Sequence, residues 1–358
     1  MKLLFVVPSL KSGGLERAAS LLASQWSTYE GTQVVLLTLD CTPPFYELDS
    51  RVQVVQSPDA FQRSHRLIKA IKLWFWLRKQ GRQLKPTTVL SFGEGFNAFV
   101  LFALLSLGIP IFLGNRTTPV TSLRGFRGTV NPVAYRRAAG VFLQTEKSLE
   151  MLQPRYQGSK FIVIPNPIKE LAVPISYARK RIFSTGSLGG KKNQGELIDI
   201  FAALADEFPE WDLVLAGEGP NRAALEAQVA EAGLTGRVLL PGAVKDLGRL
   251  YESGSVFAFA SLLEGFPNAL GEAMSAGLAV IAYDCLTGPS DLIHHGQNGL
   301  LIPLHDRAAF EKGLRQLMEE ESLRSKLGTV AKAQAPKFSE EAVAKKYFEQ
   351  FTNYQKGG

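Results

Sequence analysis

Two cysteines in 358 residues, Cys41 and Cys285, exclude a disulfide framework and point to a reducing compartment. The four histidines, His65, His294, His295 and His305, offer no cluster with metal-ligand spacing. An Asp-x-Asp triplet of the kind that holds a metal is also absent, so no obligatory metal is expected. There is no G-x-G-x-x-G: Gly217-Glu-Gly219 comes closest, but Arg222 stands where the third glycine belongs. No Gly-Lys-Ser/Thr follows a strand, which excludes a P-loop. Nicotinamide-dependent chemistry and P-loop nucleotide hydrolysis are thereby set aside.

Long hydrophobic runs are scarce too. Met1 to Pro8 is apolar but short, ends in proline and has no small-residue cleavage pattern, so it reads as a first strand and not as a signal peptide. Phe96 to Gly114 is the longer decoy, nineteen residues without a charge. Gly108-Ile-Pro110 breaks it, and its helical part, 97–107, would rise only about 16 Å, half a bilayer core. A buried helix followed by a buried strand, 111–113, is the reading.

Acidic residues are missing from one region. Between residues 60 and 140 there are thirteen Lys and Arg against a single acid, Glu94. That is a local +12; the chain's +7 leaves −5 for the rest. Such asymmetry points to an anionic partner of the first half. The predicted helix over 66–85 interleaves Leu67, Ile71, Trp74, Phe75 and Leu77 with seven basic residues. Together with the 124–137 region it is expected to form one face for acidic lipid. Trp74, Phe75 and Trp76 read equally as membrane-inserting or as core.

What is present is a regular alternation. Strands are predicted at 2–9, 33–39, 52–56, 88–92, 111–113, 141–144 and 161–164, with helices between them and Thr145 capping one. Residues 167 to about 180 read as a linker. The pattern then restarts with strands at 181–185, 211–216, 237–240, 256–260 and 279–283. This is α/β: two tandem Rossmann-like doubly wound domains facing each other across a cleft. The first spans 1–168, with a C-terminal helix of about 340–358 packing back on it; the second spans 169–339.

Several loops have the chemistry of ligand sites. Lys11-Ser-Gly13-Gly14 lies between a strand and a helix, where glycines let backbone approach a phosphate. Gly186-Ser187-Leu-Gly-Gly190-Lys191-Lys192-Asn193 follows the first strand of the second half. The stretch Glu264-Gly-Phe-Pro-Asn268-Ala-Leu-Gly-Glu272 is a loop turning into a short helix that Gly277 stops. Asn268 can cap that helix, and lies four residues from Glu272, on the same face. Two carboxylates beside a phosphate-seeking helix end suit hydroxyls, which donate to an ionised carboxylate.

This last arrangement resembles the retaining glycosyltransferases of family four, which have the GT-B fold. The resemblance covers nearly the whole chain. It is strongest from Gly186 to Ile302, through Gly217-Glu-Gly-Pro220, Pro241-Gly-Ala-Val244, the paired glutamates, Gly288-Pro-Ser290 and Asn298-Gly-Leu-Leu301. It implies that Lys192 contacts the donor diphosphate and neutralises the leaving group. It further implies that Glu264 meets hydroxyls of the donor sugar and Glu272 the nucleotide ribose. Backbone N–H groups near Asn268 and Ala269, with Gly13 and Gly14, would cradle the diphosphate; Gly217 would line the nucleotide site. The loop at Val244 would hold the base, uracil.

Two departures stand out. The family usually has Arg where this chain has Ser187, and Arg grips phosphate bidentately as Ser cannot. Lys191 either replaces that charge or points to solvent, since neighbours at a helix start diverge by about 100°. The histidine many members carry in the first domain is also missing. The matching stretch, Leu113-Gly-Asn115-Arg116, has Arg116 instead, which would contribute when the domains close. The expected activity is transfer of a hexose or N-acetylhexosamine from a nucleotide-diphosphate sugar, a UDP-sugar, to a glycan or lipid-linked glycan acceptor. No separate cofactor and no nucleic acid are expected. The enzyme is expected to sit peripherally on the inner, cytoplasmic face of the cell membrane. The competing reading keeps the fold and the nucleotide sugar without the transfer, as an epimerase or a non-catalytic binding protein.

Overall fold

The computed structural model describes residues 1–357 apart from 12, 123 and 124, with backbone only at 121, 122, 125–127 and 357. The basic residue Arg124 therefore lies outside the described residues. The chain divides into two units, Met1–Pro167 with Glu340–Gly358, and Ile168–Ser339.

The first unit is built on seven parallel strands: β1 (Lys2–Val7), β2 (Gln33–Thr38), β3 (Gln53–Gln56), β4 (Thr88–Phe92), β5 (Ile111–Gly114), β6 (Gly140–Leu143) and β7 (Phe161–Val163). Their order is β3-β2-β1-β4-β5-β6-β7. Central strands such as Leu3–Val7 are apolar on both faces because helices cover both faces of the sheet. One face buries Phe5, Trp26, Phe92, Phe112 and Phe142; the other buries Val35, Leu77, Leu101 and Tyr135. The chain's last helix, Glu340–Gly357, completes the first of these layers. Its Val343, Ala344, Tyr347 and Phe351 are fully buried, and the Trp26 indole N–H donates to the Ala344 carbonyl at 2.9 Å. The uncharged run resolves into a helix (Glu94–Leu104), one 3-10 turn (Leu105–Leu107) and β5. Among the described residues no helix is long and apolar enough to cross a membrane.

The second unit has six parallel strands: β8 (Arg181–Thr185), β9 (Asp212–Ala216), β10 (Val238–Gly242), β11 (Val256–Phe259), β12 (Ala279–Asp284) and β13 (Leu300–Pro303). Their order is β10-β9-β8-β11-β12-β13. In both sheets the direction of progression reverses beside the first strand. Loops leaving β8 and β11 therefore face one another at a topological switch point, where open α/β sheets bind ligands.

The stretch expected as a linker proves to be packed. Ile168 is buried and its N–H donates to the Phe338 carbonyl at 2.8 Å. The Leu171 N–H donates to Ser275 Oγ at 2.9 Å, and Tyr177 Oη to the Gly277 carbonyl at 2.9 Å. The prolines and charges of this segment suggested a tether. Its alternating Leu171, Val173 and Ile175 instead seal the layer beneath the 268–276 helix.

Candidate active site

The loop after β8 is shaped by close backbone contacts. The Gly186 N–H donates to the Ala216 carbonyl (3.0 Å), and the Leu188 N–H to the Glu218 carbonyl (2.9 Å). A side chain on Gly217 would overlap the Gly186 carbonyl oxygen, so the loops after β8 and β9 close on each other only through glycine. The loop turns at Lys192, whose N–H donates to the Gly189 carbonyl at 3.0 Å. Asn193 then adopts the left-handed conformation (φ 55°), and the helix Gln194–Ala205 begins. Both lysines therefore lie in a turn ahead of the helix, not at its first positions. Ser187 and Lys191 are exposed, while the Lys191 carbonyl accepts from the Leu262 N–H at 2.9 Å. That bond ties the lysine loop to the loop after β11.

Lys192 and Glu264, seventy-two residues apart, meet there. Lys192 Nζ donates to Glu264 Oε1 at 2.6 Å, with side-chain exposures of 24% and 11%. The ammonium also lies 5.1 Å from the centre of the Phe259 ring, the last residue of β11. A cation over an aromatic face, paired with one shielded carboxylate, is held where neither partner can wander into solvent. Sequence reasoning had both ion-pair residues but missed their surroundings. Thr287 Oγ1 donates to the Glu264 carbonyl, fixing that loop from the β12 side. Cys285 is buried nearby; burial pushes its thiol up to about 12, with Glu264 adding to the effect and Lys192 opposing it.

The helix after Glu264 runs Asn268–Ala276. Pro267 occupies the cap position, so Asn268 is the first helical residue and not the cap expected of it. Proline needs no N–H there, and Gly288 makes room for it: a side chain at 288 would overlap Pro267. Ala269 follows on the half-buried first turn, and Glu272 is buried, 3% exposed, one turn on. Gly277 ends the helix in the left-handed conformation (φ 97°), its N–H returning to Ala273 and Met274. Val244 is half-buried in the separate loop after β10, just ahead of the Leu247–Glu252 helix that Asp246 caps.

The remaining candidates belong to the first unit. Gly13 precedes and Gly14 opens the helix Gly14–Ser27. The Gly13 N–H donates to Tyr46 Oη at 3.3 Å, and a side chain at 13 would overlap the Glu16 carboxylate, which accepts from Ser9 Oγ at 3.0 Å. An acid thus already sits at this helix start.

Arg116, just beyond β5, is buried at 9% exposure. Its guanidinium donates to Tyr347 Oη at 2.9 Å and to Asn166 Oδ1, and stacks 3.7 Å from the Phe92 ring centre. Gln144 donates to the same Asn166 oxygen at 2.6 Å. Burial lowers the arginine's pKa, and Tyr347 partly offsets this. Its two terminal nitrogens are committed to partners inside its own unit, which sequence alone gave no means of seeing.

Two Rossmann-like parallel sheets in one chain, each with its switch point at the first strand, are the architecture of the GT-B fold. The model of the glycosyl transferases group 1 family matches residues 172–334, within the second unit. Among relatives, the chain is 25% identical over 356 residues to the amylovoran biosynthesis glycosyltransferase AmsD of Erwinia amylovora, covering 97% of this chain and 98% of that one. It is 25% identical over 344 residues to a Campylobacter jejuni α-1,4-N-acetyl-D-galactosaminyltransferase whose named substrate is a diphospho-undecaprenol-linked glycan, covering 94% of each. Among solved structures it is similar to Anabaena Alr3699/HepE in complex with UDP and glucose, with a TM-score of 0.81, 19% identity, and 99% and 100% of the two chains covered.

Proposed function

We propose that this glycosyltransferase moves a hexose or N-acetylhexosamine from a UDP-sugar, with retention, to a lipid-linked glycan on the inner face of the cell membrane. The observation that carries the reading is the Lys192–Glu264 pair at the switch point of the second sheet, eight residues ahead of buried Glu272. In the reaction the bond from sugar C1 to the diphosphate oxygen breaks, and an acceptor hydroxyl oxygen bonds C1. The hydroxyl proton leaves with the diphosphate. Lys192 meets the charge that grows on the leaving group, and Glu264, released from the lysine, accepts hydrogen bonds from donor-sugar hydroxyls. Glu272 holds the ribose, Asn268 and Ala269 at the helix start serve the diphosphate, and the Val244 loop holds uracil. No metal takes part.

The names of the relatives support an acceptor of this kind, and the UDP and glucose held by Anabaena HepE support the donor. The test is incubation of the full chain with labelled UDP-, GDP- and ADP-sugars, with and without an undecaprenyl-diphosphate-linked glycan. UDP release that the acceptor stimulates is the expected result. A new UDP-sugar epimer, or a UDP-sugar left intact, would overturn the reading.

A further inference from the structure

The helix Arg66–Leu84 carries two apolar stripes, and the fold uses one. Leu73, Leu77 and Gly81 are buried. Gly81 admits Leu104 and Leu107 from the neighbouring helix and turn, and Trp74 packs edge-on against Phe99 at 5.6 Å. The other stripe faces outward: Leu67 is 69% exposed, Ile68 51%, Ile71 59% and Phe75 67%. These four lie within about 100° of arc, at i, i+1, i+4 and i+8, and span roughly 12 Å of helix. They are four of the eleven exposed large hydrophobic residues among the described ones. Nothing in the first unit's core explains them, so they are an interaction surface and not a packing surface.

The flanks of the stripe say what it meets. The helix holds Arg66, Lys69, Lys72, Arg78, Lys79 and Arg82 and no acid. Among the described residues none of these six forms an ion pair; Lys72 donates to Ser64 at 2.8 Å and Arg78 to the Ala103 carbonyl at 3.0 Å. A second copy of the same face would bring two sets of six cations together without neutralising either. An anionic lipid surface supplies what the face lacks, acyl chains for the stripe and headgroup phosphates for its flanks.

We propose that this protein lies on anionic bilayers through the outward face of the 66–84 helix. Leu67, Ile68, Ile71 and Phe75 enter the headgroup–acyl boundary while Lys72, Lys79 and Arg82 lie in the phosphate layer. Phe75 inserts; Trp74 and Trp76, half-buried against the unit, stay in the fold. This deepens the functional reading above, since it names the surface on which a lipid-linked acceptor would be met.

The experiment is flotation of the full chain with vesicles of equal parts phosphatidylglycerol and phosphatidylcholine, and with phosphatidylcholine alone. Two variants are compared with the parent: Leu67→Ser/Ile71→Ser/Phe75→Ser, and Lys72→Gln/Lys79→Gln/Arg82→Gln. The parent is expected to float with the anionic vesicles and to remain largely behind with the neutral ones. The apolar variant should melt at the parent's temperature and bind anionic vesicles at least about tenfold more weakly. The charge variant should lose the preference for anionic lipid. An apolar variant that binds as the parent does would overturn the proposal. So would a parent that ignores lipid charge, or one that sediments as a dimer which the apolar variant abolishes. The same proteins are melted with and without UDP. If UDP shifts neither, the nucleotide-sugar reading fails while the lipid result stands on its own.

Discussion

Replacing Lys192 with methionine removes the cation from a pair that is neither exposed nor fully buried. Exposed pairs contribute about 0.2–1 kcal/mol, whereas stranding one partner of a buried pair costs about 3–5 kcal/mol. At 24% and 11% exposure and 2.6 Å, Lys192→Met should fall between these, at about 1–3 kcal/mol. Most of that cost comes from Glu264, the less exposed partner, left without its donor. Glu264→Gln should cost less, because the amide oxygen still accepts from Lys192 and the lysine is the better hydrated of the two. The double variant should cost less than the sum of the singles, since no charge is then stranded. For a unit of this size each kcal/mol lowers the melting temperature by roughly 2–4 °C, so Lys192→Met should melt about 2–12 °C below the parent. Calorimetric melting of the full chain and the three variants gives the coupling directly. Strict additivity, or a Lys192→Met protein that melts with the parent, would show that the pair holds nothing together.

Four other outcomes follow from the geometry. Tyr347→Phe removes one of two hydrogen bonds on a buried guanidinium, and should cost about 1–3 kcal/mol in a urea titration. Arg116→Met should leave the first unit folded and lower turnover at least tenfold if the arginine acts on the donor, a barrier change of about 1.4 kcal/mol; unchanged turnover would confine Arg116 to structure. Lys191→Ala should lower turnover ten- to a hundredfold, or about 1.4–2.7 kcal/mol of barrier, and Ser187→Arg in the same protein should recover part of it. Unchanged turnover and KM in Lys191→Ala would mean that the exposed lysine serves only solvent. Burial raises the ionisation of the Cys285 thiol and of the Tyr177, Tyr283 and Tyr347 phenols above their ordinary values. The unfolded chain then gives up these protons first, so stability is full below about pH 8 and falls as the pH rises through the range of 9 to 12. A melting temperature flat from pH 7 to 11 would contradict this.

Much of the second unit was legible because its signals are local. Gly277 ends its helix by the left-handed turn glycine permits, and the strand-length run before Glu264 is β11. In the first unit Thr145 caps its helix through Ser148 as its residue type suggests. The misreadings have physical causes. Residues 167 to about 180 contain the prolines and charges of a tether, and only the core beneath shows that Ile168, Leu171 and Val173 are anchors. Asn268 is a good cap in isolation, yet proline's fixed backbone angle takes the position before it. The helix over 66–84 could not be phased from sequence, because apolar residues occur on both of its sides; exposure separates Phe75 from Trp74 and Trp76. Lys192 and Glu264 were each recognisable in their own motif, but their contact depends on sheet order. It arises because β8 and β11 are neighbours although the chain makes β9 and β10 between them.

The central claim is that the second unit reads a uridine nucleotide with Glu272 and the donor sugar with Glu264. Calorimetric titration of UDP into the parent, Glu272→Ala and Glu264→Ala tests it most directly, with melting curves confirming that each protein is folded. The parent should bind UDP. Glu272→Ala should bind it at least about tenfold more weakly, having lost charge-assisted hydrogen bonds to the ribose. Glu264→Ala should stay near the parent for UDP while losing affinity for the intact UDP-sugar. Absence of UDP binding by the parent, or an equal loss in the two variants, would contradict the account.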